Sequence, residues 1–230
     1  MKNIPVYENK RESETNHLRK LTTCGVSSYT FKDWTFAVTS QVESDARRQH
    51  GESYNYVLSP EQLLQCVTAS NGCDGGSVDD AYQYLQSYGL EQNNNYPYTS
   101  FYGTTGGPCA YNANLGVVRV GGYFTQLSGS ESCMADYVQQ TGPITVCVAA
   151  SEAWYSYSGG IMHSSSCPAN TPNHCMQAVG VKPSSYSGYW KLRGNFGSQW
   201  GEGGYIRISY NHNTCNIESY PIYTSTIVDL

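Results

Sequence analysis

Two kinds of hydrophobic pattern follow one another along this chain, and their order is its tightest constraint. The first half is helical in period. Trp34, Val38, Val42 and Ala46 recur every four residues, the spacing that lines one face of a helix. Asp33 stands where an N-cap belongs, and Gly51 follows the end. Ser59-Pro60-Glu61-Gln62 reads as a second helix start, with Ser as cap and Pro in the first turn. A third helix is expected near Val78 to Tyr88, with Ala81, Tyr82 and Leu85 on one face and Gly89 as its stop. The second half turns to short strand-like runs: Ile144 to Ala150, Met176 to Val181, Tyr189 to Leu192 and Tyr205 to Ile208, separated by Gly, Ser and Pro. Helices first and strands later predict an α+β protein and not an alternating parallel sheet. The Gly/Thr/Asn-rich stretch from Ser100 to Ala113 is the expected boundary between a left lobe of about 24–112 and a right lobe of about 113–215, with terminal segments crossing over.

At 230 residues the chain is long enough for one large domain or two lobes. Charged residues make up 13%, against roughly 25% in soluble domains, so the polar surface must come from Ser, Thr, Asn, Gln and the 21 tyrosines. Such a tyrosine-rich, charge-poor composition suits contact surfaces, with 93–102 and 151–162 as the segments of interest. The net charge of −5 gives no reason to expect nucleic acid or an anionic membrane as partner. The basic residues Lys10, Arg11, Arg19 and Lys20 are interrupted by Glu12 and Glu14 and read as a solvated segment. No stretch approaches the roughly 18 apolar residues of a membrane span, and Met1 to Lys10 lacks the apolar core of a signal peptide. Nine cysteines point to an oxidising compartment, and their odd number leaves at least one over. There is no C-x-x-C pair, and no close Cys or His set matches Cys66 and Cys73, so neither a metal nor another cofactor is expected.

With Trp34-Thr35-Phe36-Ala37, Ser59 to Cys66, Gly72 to Gly76, Asn173-His174 and Trp200 to Ile208 in that order, the sequence resembles the papain/cathepsin family of cysteine proteases. Ile4-Pro5 is similar to the start of a mature enzyme, followed by Cys24-Gly25. Trp34-Thr35-Phe36-Ala37 resembles the W-A-F-S that opens the central helix, and Ser59 to Cys66 resembles S-E-Q-x-L-x-x-C. Gly72-Cys73-Asp74-Gly75-Gly76, Tyr96-Pro97-Tyr98, Gly142 to Val146 and Tyr157 to Ile161 match further family motifs in order. Asn173-His174 through Gly180 resembles the catalytic N-H-A-V-x-x-V-G. Tyr189-Trp190 and Trp200 to Ile208 resemble Y-W…W-G-E-x-G-Y-I-R-I. The resemblance implies a helical left lobe and a β-barrel-like right lobe with a cleft between them. It also implies a chain of mature-domain length without the inhibitory propeptide.

The departures concern the chemistry. The family nucleophile is a cysteine thiolate before the tryptophan of W-A-F-S, activated by a helix N-terminus and an imidazolium. Here that position is Asp33, with about six extra residues (27–32) between Cys24-Gly25 and Trp34. Aligned without the insert, Ser27 or Ser28 falls near the nucleophile position instead. The oxyanion-hole glutamine position is Leu21, and the position of the asparagine that orients the histidine is Gly194, with Asn195 beside it. Of the catalytic set His174 is retained. Asp33 is expected to serve as a helix cap, with an ion pair to His174 as a hypothesis.

The resemblance implies the disulfides Cys24–Cys73, Cys66–Cys109 and Cys167–Cys215. It also places Cys147 and Cys175 on neighbouring strands at the main specificity pocket, either bridged or as small buried hydrophobes. Cys133 is then the odd thiol, and Gly75-Gly76 corresponds to the strip that holds a peptide backbone. Three readings of function follow. One is a non-catalytic member that binds an unidentified protein or peptide in the extracellular space or a secretory or lysosomal lumen. Another is a hydrolase of altered chemistry using Asp33 or Ser27/Ser28 with His174. The last is a self-assembling structural subunit.

Overall fold

The computed structural model describes residues 32–101, 107–125, 127, 129–168 and 171–230. They divide into two compact units, one of residues up to Phe124 together with Tyr223–Leu230, the other of Thr125–Ile222.

The first unit is built on α1 (Asp33–His50), α2 (Pro60–Cys66) and α3 (Val78–Ser87). The four-residue repeat of α1 is its buried face: Trp34, Val38, Val42 and Ala46 are all at most 2% exposed. Gly51 ends this helix with φ +92°, a region costly for any residue with a Cβ, and its N–H returns to Arg47 O at 3.0 Å. The helix opens one residue earlier than its sequence suggests. Lys32 is the cap, and Asp33 is the first helical residue. Ser59 caps α2 as expected, its Oγ accepting from Gln62 N at 3.1 Å and donating to Tyr96 O at 2.7 Å.

Helix α3 buries Ala81, Tyr82 and Leu85 and stops at Tyr88, which is extended, so Gly89 is not its left-handed cap. Gly89 is required for another reason. A Cβ there would stand 2.5 Å from Leu230 Cδ1 and 3.2 Å from Gly116 Cα, where strands cross close by.

Those strands are β1 (Leu90–Glu91), β2 (Gly116–Phe124) and β8 (Tyr223–Asp229), an antiparallel sheet in the order β1-β2-β8. Helix α1 lies along the outer edge of β8 and satisfies its backbone. Asp45 Oδ2 accepts from Thr224 N, Gln49 Oε1 accepts from Ile227 N at 2.8 Å, and His50 Nε2 bonds Ile227 O at 3.0 Å. Because β2 pairs with β1 and β8, this unit extends along the chain as far as Phe124.

The second unit packs α4 (Glu131–Gln140) against a five-stranded sheet in the order β3-β5-β6-β7-β4. Its strands are β3 (Ile144–Val148), β4 (Ile161–Met162), β5 (His174–Lys182), β6 (Tyr189–Arg193) and β7 (Tyr205–Ser209). All pairs are antiparallel except β4 with β7, and the ladder ends on β3 and β4 without closing into a full barrel. Val146, Val148, Met176, Ala178, Trp190, Leu192, Ile206 and Ile208 form its core. Among the described residues three disulfides are present, Cys66–Cys109 in the first unit and Cys147–Cys175 and Cys167–Cys215 in the second.

Candidate active site

In the first unit the candidate residues gather at the start of α1. Asp33 is buried, and its Oδ1 accepts from the adjacent Trp34 N at 2.7 Å. Trp34 is fixed from two sides. Its Nε1 donates to Gly72 O at 3.3 Å, and Gly76 lies flat against the indole. A Cβ on Gly76 would come within 2.3–2.7 Å of three indole atoms, and Gly75 takes φ +122°. Both glycines of the expected peptide strip thus have a structural requirement of their own, Gly76 in packing and Gly75 in backbone conformation.

Lys32, which sequence reading passed over as part of an insert, is 4% exposed and donates its ammonium to Ser100 O. It lies near Cys73, whose thiol is pushed up by burial, with the Lys32 charge acting against that shift. Glu61 completes this buried polar group, accepting from Ser100 Oγ at 2.7 Å, Thr99 Oγ1 at 2.8 Å and Gln65 Nε2 at 2.8 Å. A buried carboxylate with several donors is held firmly in place. No four-residue period or cap rule marks Lys32, because its burial depends on Ser100, 68 residues away.

In the second unit His174 opens β5 and is 5% exposed. Its ring stacks on Phe196, with centroids 5.1 Å apart and planes at 23°, and meets Trp154 edge-on at 6.2 Å. Phe196 in turn packs on Trp200 at 4.7 Å, and Trp200 Nε1 donates to Trp154 O at 2.8 Å. The preceding residue, Asn173, ties this strand end to Ala150 with two side-chain bonds of 2.8 and 3.1 Å. Gly194 offers His174 no side chain. Its backbone packs where a Cβ would meet Trp200 at 2.9 Å and Met176 at 3.1 Å. The neighbouring Asn195 has its Oδ1 buried without a hydrogen-bond partner among the described residues, so that oxygen is not the acceptor that orients the ring.

Leu21, Cys24, Ser27 and Ser28 lie outside the described residues, and with them the expected Cys24–Cys73 pair. Among the described cysteines, Cys73 and Cys133 carry no disulfide, Cys133 being exposed on the first turn of α4. Cys147 and Cys175 are bridged and not separate thiols. Among the described residues no group of three or more His, Cys, Asp or Glu is placed to hold a metal ion. No described helix is long and apolar enough to cross a membrane.

Residues 5–225 match the family described as papain family cysteine protease. The chain belongs to the papain family. This papain-family chain is 37% identical over 189 residues to a cathepsin L-like proteinase of Fasciola hepatica, a match covering 81% of the chain and 56% of that protein. It is 36% identical over 199 residues to cathepsin R of Mus musculus, covering 83% of the chain and 58% of that protein. In structure it resembles digestive procathepsin L2 proteinase from Tenebrio molitor larval midgut, with a TM-score of 0.78 and 31% identity over 85% of the chain and 61% of the other. The chain therefore spans little more than half the length of these two curated relatives.

Proposed function

We propose that this papain-family chain is a non-catalytic member, acting by binding a protein or peptide and not by cleaving one. One observation carries the reading: the residue directly before Trp34, at the head of α1, is Asp33, with its carboxylate engaged on the Trp34 N–H. A carboxylate stabilised by a helix N-terminus is a weak nucleophile toward an amide. Leu21 in place of an amide donor removes one oxyanion contact, a loss on the order of 10²–10³ in rate where such a donor has been deleted. Gly194 brings no side chain to His174. Peptide contacts are assigned to Gly75, Gly76 and the Cys147–Cys175 wall, and the compartment to the extracellular space or a secretory or lysosomal lumen. Three disulfides support that compartment.

The test is incubation of the purified chain with a mixed fluorogenic peptide library, beside Asp33→Cys and His174→Ala. The expected result is no turnover by the wild-type chain. Turnover that His174→Ala abolishes overturns the reading and assigns a hydrolase of altered chemistry using Asp33 or Ser27/Ser28. Activity gained only in Asp33→Cys shows that the remaining machinery is intact and that the missing thiol is what silences it.

A further inference from the structure

We propose that the Cys147–Cys175 bridge is a thiol-exchange site that sets where the His174 ring stands. Strands β3 and β5 pair with Cys147 opposite Cys175 and Val148 opposite His174. The bridge is therefore one rung from His174 and belongs to the very next residue. The two Cα atoms are 4.0 Å apart. The closest ordinary cross-strand pairs stand about 4.5 Å apart, and disulfides usually span about 4.4 Å or more. The bond thus draws β3 and β5 together at this rung, and opening it lets the rung widen.

Two further features direct that movement to His174. Strand β3 is at the edge of its sheet, and among the described residues its far side carries the Thr145–Ile222 bridge and the bond from Ala149 N–H to Cys215 O. The His174 ring is clasped by aromatic faces, Phe196 stacked at 5.1 Å and Trp154 edge-on at 6.2 Å, so a shift of the strand end changes its packing. Beyond it, Asn173 keeps its bonds to Ala150 and to Val148 O, so the ladder stays paired when the bridge opens. The consequence is a moved ring and not an unfolded sheet.

The chemistry is exchange with a low-molecular-weight thiol. Its thiolate attacks Sγ of Cys175, the less buried of the two residues. The Cys147–Cys175 bond breaks, and Cys147 leaves as a thiolate that takes up a proton. A second thiol attacks the mixed disulfide, releasing Cys175 as a thiol and the oxidised small disulfide. Two electrons pass from the two small thiols to the bridge, and the oxidised small disulfide reverses the process.

This proposal is independent of whether the chain cleaves peptides. The test is a titration of the full chain in glutathione buffers of graded reduced-to-oxidised ratio. Free thiols are trapped by alkylation and mapped by mass spectrometry, and the histidine ring signals are followed by NMR. The expected result is that Cys147–Cys175 opens at a ratio roughly tenfold lower than Cys167–Cys215, about 30 mV in potential. The His174 signals should move with it while His50 and His212 stay. The double variant Cys147→Ala/Cys175→Ala should show the moved His174 signals with no thiol present. A bridge still closed after Cys167–Cys215 has opened overturns the proposal, and so does one that opens with the His174 signals unmoved. Both outcomes can be read from the wild-type chain if the double variant does not fold.

Discussion

Asp45 is fully buried and is surrounded by donors: Gln41 Nε2 at 2.9 Å, Arg48 Nη2 at 3.1 Å, and Thr224 Oγ1 at 2.5 Å. Burial pushes its carboxyl above the ordinary carboxylate range, and the bonds from Thr224 and Gln41 and the Arg48 charge offset only part of that. A carboxyl whose folded pKa lies above its unfolded one adds stability below the unfolded pKa. That contribution is lost as pH rises through the folded pKa. Asp45→Asn keeps the shape and removes the titration. Its stability relative to wild type should therefore rise between about pH 4 and about pH 8, outside the ordinary Asp value near 3.9. Urea unfolding midpoints at the two pH values read this directly. A variant that loses ground as pH rises would show that Arg48 and the other donors outweigh burial.

At the scale of the element, one acidic residue ties the start of α4 to the second unit's sheet by hydrogen bonds. Glu131, the first residue of the helix, accepts from Trp190 Nε1 at 2.7 Å and from Asn213 N at 3.2 Å. Trp190 is wholly buried on β6, and Asn213 sits in the left-handed region at φ +44°. One carboxylate thus links a helix start, a central strand and a strained turn. Glu131→Ala leaves a buried indole N–H without its acceptor and should cost about 1–3 kcal/mol, whereas Glu131→Gln, which keeps one oxygen, should cost clearly less. Thermal unfolding followed by tryptophan fluorescence gives both numbers. Equal losses would mean that the packing of α4, and not the acceptor, is what matters.

At the scale of the whole chain, the C-terminal segment completes the unit begun almost two hundred residues earlier. β8 pairs along β2 from Phe124–Tyr223 to Val118–Asp229, and its other edge takes the side chains of α1. Ending the chain at Ile222 exposes the edge of β2 and leaves Asp45, Gln49 and His50 without those partners. An open strand edge is a template for pairing with other chains. The truncated chain should therefore be cut within 33–124 by protease at concentrations that the full chain resists, and should aggregate on concentration. Resistance equal to that of the full chain would show that α1–α3 and β2 hold without β8.

The elements legible in the sequence are those whose signals are local. The face of α1 is a four-residue repeat, Gly51 and Ser59 are terminus residues with their own geometry, and the cores of β3, β5, β6 and β7 are short apolar or aromatic runs bounded by Gly, Ser and Pro. The family was legible too, because its motifs recur in order along the chain. Strands β2 and β8 escaped notice since Gly121-Gly122 interrupts one and polar Thr224-Ser225-Thr226 fills the other. Their pairing with each other, with β1 on the far side of β2 and α1 beside β8, makes them strands. Likewise the sequence offered Cys147 and Cys175 as a bridge or as two separate thiols, and the register of β3 on β5 decided for the bridge. The ring environment of His174 and the burial of Lys32 also rest on residues 20 to 70 positions away (Phe196, Trp154, Ser100), and no periodicity or cap encodes contacts of that range. Local backbone preference can be read one turn at a time, whereas burial and long-range bonding exist only once distant segments have met.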